Sequence, residues 1–132
     1  MSYPPLEGHD LGASLTVRDL QHSAAWYQDA LGFTLDRSHE RQGKVVAISL
    51  KAGTVHLLLT QDDGAKGLDR VKGEGFSLQL STTQDSDALA ARARERGAVL
   101  DTEPTTMPWG PRIFRVRDPD GFRWTISSTP VQ

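Results

Sequence analysis

Residues 13–33 are ASLTVRDLQHSAAWYQDALGF. The first five alternate between apolar and hydroxyl side chains, which predicts a half-buried strand. Asp19 then provides a suitable N-cap, apolar residues recur at roughly helical spacing, and Gly32 stands in the position of a C-terminal glycine cap. The stretch therefore predicts a strand followed directly by a helix.

Three more strands are predicted after this helix, at residues 33–36, 45–50 and 54–60. The last two are rich in β-branched and leucine residues, which favour strands. The polar segment 39–44 between the first two strands is predicted to form a turn. The first half of the chain thus has the order strand–helix–strand–strand–strand.

The second half repeats this order. It contains a strand at 76–80, an Ala- and Arg-rich helix at 85–96, a short strand beginning at Val99, a Pro-containing loop at 101–110, and strands at 113–117 and 122–127. Ser14-Leu15-x-Val17 aligns with Ser77-Leu78-x-Leu80 at an offset of 63 residues. Two similar units in one short chain predict an internal duplication.

Composition restricts the classes of protein that the chain can represent. Its 132 residues suit one domain, 37% are hydrophobic, and the formal net charge is −2. This apolar content excludes a disordered chain, and no stretch approaches the ~20 apolar residues of a membrane helix. Near-neutral charge gives no reason to expect nucleic-acid binding. The absence of cysteine excludes disulfides and thiolate chemistry, and the polar start of the chain favours a cytoplasmic protein.

Several motifs in order resemble a known superfamily. They are LTVRDL at 15–20, AWY at 25–27, ALGF at 30–33, Trp109-Gly110, and Phe114-x-Val116-x-Asp118-Pro119-Asp120-Gly121. Together, over about residues 11–128, they resemble the vicinal-oxygen-chelate superfamily. This group includes glyoxalases, bleomycin-resistance proteins, fosfomycin-resistance proteins and extradiol dioxygenases.

The resemblance implies an α+β fold of two βαβββ modules, at about 11–60 and 75–128. A linker rich in glycine and charge, 61–74, joins them within a single domain. The strands would curl into a mixed sheet that forms a cup open to a ligand, with the helices outside. Most members of the superfamily are homodimers, so a homodimer is expected here.

Enzymes of the superfamily usually hold one divalent metal through His, Gln or Glu side chains on four strands. The matching positions in this chain are Gly12, Leu58 (or Leu57 in a shifted alignment), Gly75 and Thr125. A lone threonine hydroxyl is a poor ligand without imidazole or carboxylate partners. The sequence therefore predicts no metal and no other cofactor. It is most similar to the metal-free, bleomycin-resistance-like members.

Candidate ligand-binding residues follow from the predicted cup. Trp109, between Pro108 and Gly110, lies in an irregular segment where an exposed indole could stack on a flat ligand. The alternative is that it plugs the cup or the dimer seam. Trp26 and Trp124 are predicted to belong to the core.

Strand parity adds further candidates. His56 shares a face with Leu58, and Arg123 shares a face with Thr125, so all four are expected to point into the cup. An inward arginine suggests a carboxylate or phosphate on the ligand, or an interior ion pair. His39 is expected in a turn near the mouth of the cup. Both histidines could instead be structural.

The sequence favours a metal-independent protein that sequesters an aromatic antibiotic or metabolite in the cup of a homodimer. A lyase, isomerase or dioxygenase of the same fold with non-standard metal ligands is the main alternative. A structural module, or an enzyme that uses His56 for acid–base chemistry, remains a third possibility. No catalytic residue is predicted.

Overall fold

Both halves of the chain fold in the order strand–helix–strand–strand–strand. The computed structural model describes residues 2–129. Its elements are β1 (Ala13–Val17), α1 (Leu20–Ala30), β2 (Thr34–Arg41), β3 (Lys44–Ala52), β4 (Val55–Gln61), β5 (Leu78–Thr82), α2 (Ser86–Glu95), β6 (Leu100–Thr106), β7 (Arg112–Arg117) and β8 (Arg123–Ser128). The predicted α+β fold with two βαβββ modules is confirmed.

Each module forms its own four-stranded mixed sheet. The first sheet has the order β1-β4-β3-β2, and the second has the matching order β5-β8-β7-β6. The first strand of each module pairs in parallel with the last, and the remaining pairs are antiparallel. The long connection that a parallel pair requires is formed in each module by the helix and the two strands that follow it.

The ends of α1 are set by the residues that the sequence indicated. The Asp19 carboxylate caps the helix by accepting a hydrogen bond from the backbone amide of His22 at 3.1 Å. Gly32 has φ +84°, and the next amide, of Phe33, donates to the carbonyl of Tyr27 at 3.0 Å. This is the glycine-ended helix terminus that turns the chain into β2.

One face of each sheet packs against the helices, and these two faces share a single core. Leu15, Leu57 and Leu59 of the first sheet belong to the same buried cluster as Phe114 and Trp124 of the second. The rings of Tyr27, Phe33 and Trp124 meet edge to face, with centroids 5.6–5.9 Å apart. The predicted core position of Trp124 is confirmed, while Trp26 is half-buried against this core.

We call the opposite face of each sheet its open face. Because side chains alternate along a strand, the residues between the core positions project onto this face. The open face of the first sheet includes Ser14, His56 and Leu58, whose neighbours Leu15, Leu57 and Leu59 are buried. The open faces are the surfaces on which the predicted site residues lie.

Two expectations about the edge strands were wrong. Strand β2 extends to Arg41, so His39 lies in a strand rather than a turn; the chain reverses at Gln42 and Gly43, which both have positive φ. Strand β6 runs through Pro104, which the sequence placed in a loop. Pro104 is tolerated because β6 is an edge strand and the pairing shifts register between Thr102 and Thr105.

A buried polar network, which we call the junction, joins the two modules. The Tyr27 hydroxyl donates to Asp118 Oδ2 at 2.6 Å and accepts from Trp124 Nε1 at 2.8 Å. Burial, followed by the charge of Asp118, raises the pKa of Tyr27 well above its ordinary value. Burial also raises the pKa of Asp118, although the hydrogen bond from Tyr27 opposes this effect.

The segment between β4 and β5 contributes an ion-pair chain to the junction. Lys72 Nζ lies 2.9 Å from Asp62 Oδ2 and 3.3 Å from Asp120 Oδ2, and all three side chains are almost fully buried. The backbone amide of Gly64, followed by Lys72, lowers the pKa of Asp62 to about 2. The buried Asp62 carboxylate thus anchors the linker.

Candidate functional site

The open face of the first sheet is mainly polar, with Leu58 near its centre. Register places Leu58 between Ser14 on β1 and Ser49 on β3. The next row contains Thr16 and Thr60, whose hydroxyl oxygens lie 3.2 Å apart. Such a surface offers hydroxyl donors and acceptors around a hydrophobic contact.

His56 and Leu58 lie on this face together, as the strand parity predicted. Both line a depression of about 320 Å³, whose wall also includes Gly12, Ser14 and Asp36. The depression contains no residue of the second sheet. Within one chain, the first sheet therefore provides only one wall of a ligand site.

His39 occupies the same open face, although it lies in β2. Its register partner is Ala47 on β3, and its Nε2 is 3.0 Å from the Ser49 hydroxyl oxygen. This hydrogen bond fixes the imidazole against the sheet. A contact between His39 and a ligand stays a prediction.

Arg123 and Thr125 lie on the open face of the second sheet. Thr125 is 8% exposed and stands between Gln79 on β5 and Arg115 on β7, whereas Arg123 is exposed. The sequence groups Arg115 with Arg112, Arg117 and Arg123 around the last hairpin, but strand parity was used to place only Arg123 and Thr125 on the inward face. The signal that identifies Arg115 is the β7–β8 register, which the sequence does not give.

Trp109 lies in the turn between β6 and β7, and its side chain is 75% exposed. The turn is closed by hydrogen bonds from the Met107 amide to the Pro111 carbonyl (2.8 Å) and from the Gly110 amide to the Met107 carbonyl (3.0 Å). The predicted exposure of this indole is confirmed. A ligand contact stays a prediction.

The residues at the four metal positions do not fit a metal. Gly12 and Gly75 have no side chain, Leu58 offers only hydrocarbon, and Thr125 offers a single hydroxyl. Across residues 2–129, no group of three or more His, Cys, Asp or Glu is placed to hold an ion.

A second cavity, of about 630 Å³, opens on the helix side of the sheets. Its walls come from both modules and include Phe33, Val55, Leu80, Thr82 and Phe114. None of the predicted ligand-binding residues lines it. No local sequence pattern predicts this cavity, because its walls are far apart in the chain.

Comparisons with known proteins agree with this architecture. The sequence profile of the Glyoxalase/Bleomycin resistance protein/Dioxygenase superfamily matches residues 11–126. The chain therefore belongs to this superfamily. A comparison with curated proteins finds no match.

Solved structures share the fold over nearly the whole chain. A glyoxylase/bleomycin resistance protein/dioxygenase domain from Frankia sp. EAN1pec is 25% identical, with a TM-score of 0.74 over 95% of this chain and 99% of that one. TioX from Micromonospora sp. ML1 is 20% identical, with a TM-score of 0.71 over 91% and 98%. A superfamily enzyme from Burkholderia phytofirmans PsJN is 20% identical, with a TM-score of 0.73 over 92% and 99%.

These similarities show the fold and the superfamily, and they leave the particular activity to the site. Among the described helices, none is long and apolar enough to cross a membrane.

Proposed function

We propose that the chain is a metal-independent small-molecule-binding protein, similar to the bleomycin-resistance group. Two copies would enclose an aromatic antibiotic or metabolite and sequester it without turnover. When the ligand is an antibiotic, such sequestration would confer resistance on the host.

The exposed indole of Trp109 carries this proposal. A short, hydrogen-bonded turn holds the ring at 75% exposure, and within residues 2–129 no other aromatic ring stacks on it. Exposing a tryptophan to water forfeits a large favourable burial term. A flat aromatic ligand, or the partner that closes the cup around it, would recover that term.

The incomplete walls of the site support a homodimer. The open faces lie on separate sheets, and the depression at His56 and Leu58 is bordered by the first sheet alone. None of the eight residues of β2 is buried, including Leu35, which is 52% exposed. An edge strand left open on both faces is a natural surface for a second chain. We infer that each cup is completed by a second copy.

One observation favours the alternative of a metal-dependent lyase, isomerase or dioxygenase. His56 and Asp36 line the same depression beside Gly12, so an imidazole and a carboxylate are near the family's metal position. Catalytic zinc sites usually have three protein ligands. A third donor would have to come from another chain or from the substrate.

Fluorescence titration tests the proposed binding function. Bleomycin is the first probe, followed by a panel of planar aromatic antibiotics. We expect at least one compound to bind stoichiometrically, to quench tryptophan emission and to be recovered unchanged. Because aromatic stacking contributes about 0.5–1.5 kcal/mol, Trp109→Ala should weaken binding by about two- to tenfold.

Trp109→Phe is the matched control, since it keeps a stacking ring and should retain most of the affinity. If Trp109→Ala changed the affinity by less than about twofold, stacking on this residue would be rejected. If no compound of the panel bound, the sequestration proposal would be rejected as well.

A further inference from the structure

Three arginines lie on one patch of the open face of the second sheet. In the β7–β8 pair, Arg117 is directly opposite Arg123, and Arg115 is opposite Thr125. Their neighbours Phe114, Val116 and Trp124 are buried in the core. Alternation along the strands therefore projects the three guanidinium groups to the same side of the sheet. We call Arg115, Arg117 and Arg123 the arginine patch.

The arginine patch carries more positive charge than its neighbours neutralise. Like charges directly opposite each other in a sheet are destabilising, and Arg117 and Arg123 form such a pair. One carboxylate, Asp101, contacts Arg117, at 2.7 Å. No ion pair forms at Arg115 or Arg123 among residues 2–129. Within the described part of the chain, the guanidinium groups of Arg115 and Arg123 therefore have no counter-ion.

Two other arginines of this module stabilise the fold through partners of their own. Arg112, which follows the opposite parity, forms a two-pronged ion pair with Asp87 near the N-terminus of α2. Arg92 donates to the carbonyls of Gln28 and Asp29 at the end of α1. These contacts give Arg112 and Arg92 a structural role. No comparable contact explains Arg115 and Arg123.

The row beside the patch supplies neutral hydrogen-bonding groups. Thr125 separates Gln79 from Arg115 across β5, β8 and β7. An amide, a hydroxyl and guanidinium groups on one face are the groups that bind carboxylate or phosphate oxygens. The net charge of the chain is −2, so this positive patch is a local feature rather than a property of the whole surface.

We propose that the arginine patch binds an anionic group of the ligand, a carboxylate or a phosphate, through Arg115 and Arg123. This inference rests on the proposed binding function and specifies its ligand class: an aromatic acid rather than an aromatic cation. Thr125 and Gln79 would complete the hydrogen bonding of the anion. Arg117, held by Asp101, would act as a fixed charge beside it.

Matched probes test this proposal. The purified protein is titrated by calorimetry with benzoate, with benzamide, which has the same ring without the charge, and with inorganic phosphate. We expect benzoate to bind more tightly than benzamide by about tenfold, since charge-assisted hydrogen bonds are roughly twice as strong as neutral ones. Arg115→Gln and Arg123→Gln should each weaken benzoate about three- to tenfold and leave benzamide unchanged.

Arg96→Gln is the charge-matched control, because Arg96 is exposed at the end of α2, away from the patch. If it weakened benzoate as much as the patch variants did, general electrostatics would explain the binding and the proposal would be overturned. Equal affinity for benzoate and benzamide, together with no binding of phosphate, would also overturn it. Phosphate binding that Arg115→Gln abolishes would support the proposal with phosphate as the anion, and benzoate binding alone would assign a carboxylate.

Two readouts guard against ambiguous variants. NMR of the arginine Nε–Hε groups in the unmodified protein should show benzoate shifting Arg115 and Arg123 but not Arg96. The second readout is analytical sedimentation, which measures oligomeric state. It tests whether a carboxylate of a second copy of the chain, rather than a ligand, binds the arginine patch. If the patch variants dissociated a dimer and left benzoate affinity unchanged, the arginines would serve that interface and the proposal would fail. Stoichiometric binding of the aromatic panel without any anion preference would reject this inference alone.

Discussion

The junction and the open faces use polar residues in opposite ways. At the junction, Tyr27, Asp62 and Lys72 are buried, and every polar group that they present has a partner within the chain. On the open faces, His56 and Arg123 are exposed, and no ion pair in residues 2–129 involves either. Buried polar groups require hydrogen-bond partners within the fold, whereas exposed polar groups are solvated and remain available to bind a ligand.

This difference separates stability from binding. Substitutions at the junction should lower the free energy of unfolding and leave ligand affinity nearly unchanged. Substitutions on the open faces should weaken ligand binding and leave the free energy of unfolding nearly unchanged. A residue that violated this division would show that the two regions are coupled.

The largest effect on stability is expected for Tyr27→Phe. It removes the hydroxyl between Asp118 and Trp124, and leaves a buried carboxylate oxygen and a buried indole N–H without that partner. A buried polar group left unpaired costs about 1–3 kcal/mol, so the free energy of unfolding should fall by about 2–4 kcal/mol. Urea unfolding followed by circular dichroism measures this change.

Tyr3→Phe is the matched control, because Tyr3 is 83% exposed. This variant should unfold with the same midpoint urea concentration as the wild type. A loss below about 0.5 kcal/mol for Tyr27→Phe would mean that water replaces the hydroxyl at little cost. The Tyr27 hydroxyl would then contribute little to the stability of the junction.

A smaller, pH-dependent effect is expected for Asp62→Asn. The folded-state pKa of Asp62 is about 2, below its unfolded value near 3.9. The ionised carboxylate therefore contributes stability that is fully present above about pH 4 and is lost as the pH falls through 2. Wild type should melt at a higher temperature than the variant at pH 6, and this gap should close between pH 4 and pH 2.

Asp63→Asn serves as the control at the neighbouring position, where the side chain is exposed and accepts a hydrogen bond from the Ala65 amide. It should show little difference from wild type at any pH. A gap for Asp62→Asn that persisted unchanged down to pH 2 would show that packing, rather than the charge on Asp62, is responsible.

The fold could be predicted from the sequence because its signals are local. The Asp19 cap, the Gly32 terminus and the alternation in β1 and β4 each lie within a few residues, and each is present in the structure. The predictions that were wrong concern β2 and β6, which are edge strands of the two sheets. No residue of β2 or β6 is fully buried, so no apolar alternation marks where these strands end.

The junction could not be predicted because it depends on contacts between distant residues. Lys72 and Asp120 are 48 positions apart, and Tyr27 and Asp118 are 91 apart. Parity placed Arg123 beside Thr125, but only the register of β7 against β8 adds Arg115. Local patterns give the face of a strand, and tertiary structure gives the neighbours on that face.

Metal content tests the central claim of metal-independent binding most directly. The purified protein is incubated separately with Ni²⁺, Zn²⁺, Mn²⁺ and Fe²⁺, desalted, and analysed for bound metal per subunit. Since Gly12, Leu58, Gly75 and Thr125 occupy the family's ligand positions, we expect no stoichiometric metal to be retained. Retention of about one metal per subunit, lost in His56→Ala, would contradict this account and place a metal-dependent enzyme first.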